Sequence, residues 1–232
     1  MSLAPDRMAP VAPTAVPTAG SERTANPLFA VRPHGRTRRL AELVVAGTSL
    51  VLLAPLMGAI ALLVALTSDG PVFFRHRRVG HGGVPFEVIK FRTMYDGAEA
   101  QAARIFAEAN HGSGPLDKRR DDPRVTAVGR WLRRSSLDEL PQLLNVLDGS
   151  MALVGPRPSS PAEVVRFAPD EVARLGVRPG ITGLAQVSGR SDLGWEEGLR
   201  LDLEYIERRS LWLDLLILIR TPFAVVGGRG AY

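Results

Sequence analysis

The chain has 232 residues, 45% of them hydrophobic, with 29 basic and 24 acidic side chains and a formal charge of +5. That length is ample for one domain with a real core, and the lack of cysteine excludes a disulfide framework, a thiolate metal site and a cysteine nucleophile. Of the basic residues 27 are arginine and only Lys90 and Lys118 are lysine; arginine forks grip phosphate in bidentate fashion, a hint of phosphate-bearing partners that base composition alone would also produce.

Residues 1–34 hold six of the eighteen prolines and no helical or strand period, so they read as a disordered Pro/Ala-rich tail and not as a secretory signal. The domain then runs over residues 35–232. Residues 43–66 carry no charge. As a helix they reach about 36 Å, against a hydrocarbon core of about 30 Å, which predicts a membrane helix over about residues 40–67. Pro55 sits at its middle and bends it, a membrane kink. Arg36, Arg38 and Arg39 precede it, and Arg75, Arg77 and Arg78 follow. The positive-inside rule keeps both flanks in the cytoplasm, so a helix that enters, kinks and returns is preferred over one that crosses.

VFFRHRRV and PFEVIKFRTM are β-prone runs separated by a glycine-rich spacer, which predicts a hairpin. Alternation places Lys90 and Arg92 on one strand face and Ile89 and Phe91 on the other. A short helix is expected over residues 98–109, then a Gly/Pro-broken loop over residues 111–115. Residues 117–134 hold seven basic and three acidic side chains. Two amphipathic runs, residues 195–209 and 211–220, follow near the C-terminus, the second a core or interfacial helix with Trp212 able to sit at headgroup level.

The densest constellation is RRSSLDELPQ, residues 133–142. Ser136 and Glu139 have the spacing of a capping box. Under that reading Pro141 falls inside the helix and forfeits a hydrogen bond; with Pro141 at the helix start, Asp138 and Glu139 stand just ahead of it. A phosphoryl group there would meet backbone donors and Arg133 or Arg134. Two adjacent carboxylates also suit Mg²⁺, which takes one or two carboxylates plus phosphate oxygens. GPRP fixes Arg157 between two prolines, and PGITG with Gln186 and Arg190 offers flexible glycines and a cation.

Together these segments resemble the bacterial sugar transferases, the monotopic polyprenyl-phosphate phosphoglycosyl transferases. The likeness rests on the apolar segment around Pro55, PVFFRHRRVG, KFRTM (residues 90–94), DPRVTAVGRWLRRSSLDELPQLLNVL (residues 122–147), LVGPRP, PGITGLAQVSGR and LWLDLLILIRT. The resemblance implies an α+β membrane-associated fold: a proline-broken re-entrant membrane helix, interfacial amphipathic helices and a small cytosolic helical domain with a β-hairpin. It implies transfer of a sugar-1-phosphate from a UDP-sugar to undecaprenyl phosphate at the cytoplasmic face of the bacterial inner membrane, the initiating step of exopolysaccharide or glycan assembly. UMP leaves, and undecaprenyl-diphosphate-sugar forms through an aspartyl phospho-sugar intermediate. Asp138 takes the nucleophile's place. Glu139 holds Mg²⁺ with it or assists the acceptor. Lys90, Arg92, Arg133, Arg157 and Arg190 become phosphate and nucleotide-sugar binders. The oligomeric state stays open, a dimer included. The competing reading is a membrane-tethered, arginine-rich protein that grips nucleic acid or anionic lipid. It leaves Asp138, Glu139 and Pro141 unexplained, and it lacks aromatics interleaved with the basic run for stacking on bases. No nucleic-acid partner is therefore expected.

Overall fold

A computed structural model of the chain describes residues 35–98 and 122–227. The tail expected over residues 1–34, the loop over residues 111–115 and nearly all of the helix over residues 98–109 lie outside the described residues.

Helix α1 (Arg36–Thr67) takes up the whole uncharged segment and its basic N-terminal flank in 32 residues, a length of about 48 Å. Its composition is apolar on every side, yet its burial is not. Arg38, Glu42, Ala46, Ile60 and Val64 are buried, and Leu50, Leu53, Met57 and Ala61 pack beside them at the same three-to-four-residue spacing. Leu40, Val44, Val51, Leu52, Leu62 and Leu66 stand exposed. The helix continues through Pro55 instead of breaking there. Proline removes the N–H that would have bonded the Val51 carbonyl, and packing on both sides of the gap holds the remaining turns.

The hairpin forms as its sequence predicts. Strand β1 (Phe73–Val79) pairs antiparallel with β2 (Pro85–Phe91), in a register that opposes Phe74 to Lys90 and Arg78 to Phe86. Cross-strand partners share a face, so Arg78 and Lys90 project from the same side. The tight turn between the strands needs left-handed backbone at Gly82 and Gly83, with φ of 66° and 78°. Arg92 falls just past the strand, its N–H on the Val72 carbonyl at 2.9 Å.

Helix α2 (Ala127–Ser135) is followed by a 3₁₀ turn, Leu137–Glu139, and by α3 (Gln142–Asp148). Strand β3 (Ala152–Val154) then precedes the short α4 (Pro161–Val164) and a second 3₁₀ turn, Glu171–Gly176. β4 (Gly180–Thr182) returns parallel to β3, opposing Ala152 to Gly180 and Val154 to Thr182. The two glycine- and proline-rich segments of the sequence are thus neighbours. A Cβ on Gly180 would lie 2.1 Å from the Gly155 nitrogen, so this glycine admits another strand's backbone. Helices α5 (Leu184–Ser188), α6 (Trp195–Arg208) and α7 (Leu211–Val226) complete the described chain. The last extends six residues beyond the expected run. Asp214 and Ile217 face inward, while Leu211, Trp212, Leu215, Ile219 and Phe223 are exposed.

Two apolar clusters join these parts. Ala46, Val88, Val146, Met151, Tyr205 and Ile217 centre one; Ile60, Val64, Phe91 and Leu132 form the other. Each takes residues from α1 and from β2, so one helix face and one strand span both. The segment carrying Asp138 lies between α2, which feeds the second cluster, and α3, which feeds the first.

Candidate active site

Helix α2 ends at Ser136, whose backbone is left-handed (φ 54°, ψ 18°) and whose N–H bonds the Arg133 and Leu132 carbonyls. The Ser136 side chain makes no cap, so the capping-box reading of Ser136 and Glu139 does not hold. The left-handed residue closes the helix behind it, and its carbonyl, not its hydroxyl, accepts from the Glu139 N–H of the turn ahead at 3.2 Å. The pattern is realised elsewhere. Ser160 accepts from the Glu163 N–H and Glu163 returns the bond to Ser160, with Pro161 in the first turn. Pro141 immediately precedes α3, leaving Asp138 and Glu139 on the 3₁₀ turn ahead of it.

Asp138 is buried. Desolvation pushes its carboxyl up to about 6, Lys90 and Arg133 pull it down, and the Glu139 charge pushes it further up. Glu139 is more open and pairs through Oε1 with Lys90 Nζ. Lys90 reaches it because Asn145 on α3 stitches the strand edge in place: its Oδ1 accepts from the Ile89 N–H at 3.0 Å and its Nδ2 donates to the Glu87 carbonyl at 2.8 Å.

Arg133 comes from the last turn of α2, where burial lowers its pKa and Asp138 and Asp122 oppose that shift. Its Nε donates to Thr93 Oγ1 at 2.9 Å. The close fit behind this contact explains Gly129, since a Cβ there would lie 2.0 Å from the Thr93 carbonyl oxygen. Asp122 is held by Arg124, Nη2 to Oδ2 at 2.6 Å.

Arg190 enters from the far side. It is the second non-glycine residue with positive φ among the described residues, at 58°, and its Nη2 bonds Ser136 Oγ. The two left-handed non-glycine positions among the described residues therefore touch, two residues before Asp138, where backbone strain is retained by the surrounding contacts. Arg190 Nη1 is buried and no described protein atom accepts from it.

The structure thus brings Asp138, Glu139, Lys90, Arg133 and Arg190 together. Arg157 lies in an adjoining cluster, 3.5 Å from Glu163. Arg92 is not brought to Asp138. Its guanidinium bonds the Ser68 carbonyl at 2.6 Å, Ser68 Oγ at 2.8 Å and the Pro71 carbonyl, which ties the hairpin to the end of α1. Arg92 lies past the end of β2, where alternation no longer fixes a side chain's direction. Pro55 remains in the middle of α1.

Asp138 and Glu139 are oxygen donors suited to a hard cation, and no group of three or more His, Asp or Glu converges among the described residues. A cation held here would draw its other ligands from water or phosphate, the habit of Mg²⁺. A groove of about 420 Å³ elsewhere is lined by Asp170, Glu171, Glu196, Glu204 and Glu207, with Arg200 the one basic residue among its lining. Its charge repels phosphate, and the cations around Asp138 attract it.

The family model for bacterial sugar transferases matches residues 34–228. An exopolysaccharide production protein, ExoY, of Rhizobium meliloti is 42% identical over 207 residues, covering 88% of this chain and 92% of its own. A UDP-glucose:undecaprenyl-phosphate glucose-1-phosphate transferase of Caulobacter vibrioides is 41% identical over 226 residues, 88% of this chain and 78% of its own. An undecaprenyl-phosphate galactose phosphotransferase of Salmonella typhimurium is 40% identical over 84% of this chain, which spans only 41% of that longer protein.

Proposed function

The chain belongs to the bacterial sugar transferase family, a sugar-phosphate transferase, and from that premise we propose that it moves a sugar-1-phosphate from a UDP-sugar to undecaprenyl phosphate. The observation that carries this reading is a buried carboxylate, Asp138, under the charges of Lys90 and Arg133, with Arg190 bonded to Ser136 two residues before it. An Asp138 oxygen attacks the sugar-proximal phosphorus, and the bond from that phosphorus to the UMP oxygen breaks with its electron pair leaving on UMP. An oxygen of the lipid phosphate then attacks the same phosphorus and the Asp138 oxygen departs, so the carboxylate is regenerated. Splitting the transfer spares two bulky anions from meeting directly. Lys90 and Arg133 stabilise charge on the phosphoryl oxygens, and the unpartnered Arg190 Nη1 supplies a further donor. Asp138 and Glu139 would hold Mg²⁺, which supplies charge neutralisation between carboxylates and phosphates.

The membrane arrangement follows from α1. Arg39, near its start, bonds the Leu147 carbonyl at 3.1 Å, and Ser68, just past its end, holds Arg92. One globular body touching both ends supports a helix that does not cross the bilayer, with its exposed apolar side in lipid. The absence of cysteine gives a clean background for labelling. Gly35→Cys and Asp69→Cys should both resist an impermeant maleimide applied from the periplasm, and reaction at one alone would show a crossing.

The chemistry is tested with the full chain in nanodiscs, Mg²⁺, undecaprenyl phosphate and a panel of UDP-sugars. UMP should be released with at least one sugar, and chelation of Mg²⁺ should stop it. Asp138→Asn should lose about 10³-fold or more in kcat, and omission of the lipid should leave a phospho-sugar adduct on the Asp138 peptide. Full turnover by Asp138→Asn removes the nucleophile assignment.

A further inference from the structure

Arg78 is one of the basic residues that follow the membrane helix, and its flanking position alone suggests only a topological role. The structure gives it another place. The end of β1 is tied to the segment after GPRP by the Val79 N–H on the Ser159 carbonyl at 2.8 Å. One residue later Ser160 opens α4, and its N–H bonds Glu163 Oε2 at 2.5 Å. Glu163 is only 3% exposed. Burial pushes its carboxyl up, but Arg157, the Ser160 amide and Arg78 outweigh that and hold it below the usual range, so it stays ionised.

Two guanidinium groups converge on that carboxylate. Arg78 Nη1 lies 3.4 Å from Oε2 and Arg157 Nη1 lies 3.5 Å from Oε1. Both contacts exceed the roughly 2.7–2.9 Å of a strong charge-assisted bond, so neither fork is saturated. Pro156 and Pro158 fix the Arg157 backbone, and Arg174 Nη2 holds its carbonyl at 3.3 Å. Arg174 is itself neutralised by Asp202 at 2.5 Å. Two cations therefore face one carboxylate, and a positive charge is left over. Arg78 projects from the hairpin face that also carries Lys90, and the Glu139 charge acts on it directly.

We propose that Arg78 and Arg157, set side by side by Glu163, form a phosphate clamp next to the Asp138 centre. The inference rests on the transferase reading above and extends it to two residues, Arg78 as a phosphate ligand and Glu163 as a positioning residue. The bound group is a phosphate of the reaction, supplied either by the nucleotide sugar or by the lipid acceptor. Glu163 prevents the two cations from repelling each other apart before substrate arrives, and its cap bonds to Ser160 keep it from following them.

The test uses the full chain in nanodiscs, with UDP binding followed by calorimetry and the KM for undecaprenyl phosphate followed by UMP release. If the clamp holds the donor, Arg78→Gln weakens UDP binding about tenfold and leaves the lipid KM within twofold. If it holds the acceptor, the two effects exchange, and the clamp stands with its ligand identified. Arg78→Lys should recover only part of the loss, because an ammonium lacks the fork. Glu163→Gln should give the same selective loss; if that variant fails to fold, Arg78→Gln decides alone. A lower melting temperature with both constants unchanged would reduce Arg78 to a tether between hairpin and α4, and the proposal falls. Failure of the clamp in an active wild type leaves the transferase reading intact. A wild type that binds UDP through Arg78 yet transfers no phospho-sugar to any acceptor sinks the transferase reading and spares the clamp.

Discussion

Two clusters of arginine and carboxylate can be set against each other. At the start of α1, Arg38 Nη2 pairs with Asp214 Oδ2 and donates to the Tyr205 hydroxyl at 2.6 Å. That hydroxyl donates to Asp214 Oδ1 at 2.8 Å, with the Val154 carbonyl at 3.0 Å as a second acceptor. Glu42 lies 3.9 Å from Arg38 and 3.7 Å from Arg39. Each of the two carboxylates is paired with an arginine, and Arg178 and Arg209 act on the cluster from its edge. In the other cluster Lys90 and Arg133 act on Asp138, Lys90 pairs with Glu139, and Arg78 and Arg157 meet Glu163, with Asp122 and Asp202 acting on Arg133 and Arg157. In the first network Asp214 is held by close arginine and hydroxyl contacts, while Arg38 Nε and Arg39 Nη1 have no hydrogen-bond partner among the described residues. In the second, Arg78 and Arg157 stand 3.4 and 3.5 Å from Glu163, the room that the proposed clamp gives to a phosphate. Closeness of pairing thus separates a network that fixes α1 from one that, under the proposed clamp, receives a ligand, although both consist of arginine and carboxylate.

This contrast is broken most directly from the closed side. Arg38→Ala strands Asp214, whose carboxyl burial already pushes up. Removing one partner of a buried pair costs about 3–5 kcal/mol. Protonation of the stranded Asp214 relieves part of this, so the lower end is expected. Thermal unfolding in nanodiscs should show the loss, while the KM for UDP-sugar in the surviving folded fraction stays unchanged. On the open side the readouts reverse. Arg190→Gln should raise that KM about tenfold, equivalent to about 1.4 kcal/mol, and lower the melting temperature only by the loss of the Nη2–Ser136 Oγ bond, because its Nη1 has no acceptor among the described residues to lose. A large melting change in Arg190→Gln would place it with the closed network.

The sequence showed the parts whose signals are local. The hairpin followed from glycine spacing between β-prone runs, and the stand-off of Asp138 and Glu139 followed from Pro141, which cannot sit comfortably inside a helix. Three features were hidden because they depend on distant partners. β3 and β4 are three residues each and lie far apart in the chain, so no periodicity announces them. Arg78 and Arg92 belong to the same basic, hairpin-forming stretch, yet one reaches Glu163 and the other the end of α1. Only tertiary packing decides between such fates. In the sequence the capping-box spacing is read at Ser136 and Glu139, whereas the box forms at Ser160 and Glu163, where it gathers Arg78 and Arg157.

The finest test removes a single oxygen from the closed network. Tyr205→Phe keeps the ring in the core, where Tyr205 is 1% exposed, and deletes the hydroxyl that bridges Arg38, Asp214 and the Val154 carbonyl. Burial and the Asp214 charge already push that hydroxyl's pKa up, so the neutral phenol is the form lost. Hydrogen bonds to charged groups contribute about 1.5–3 kcal/mol net. The Arg38–Asp214 pair survives the change, so the loss should stay near the lower end of that range and shift the melting temperature by only a few degrees. Neither the KM for UDP-sugar nor that for undecaprenyl phosphate should move. Equal stability loss in Arg38→Ala and Tyr205→Phe would mean that the hydroxyl bridge, and not the Arg38–Asp214 pair, closes the network.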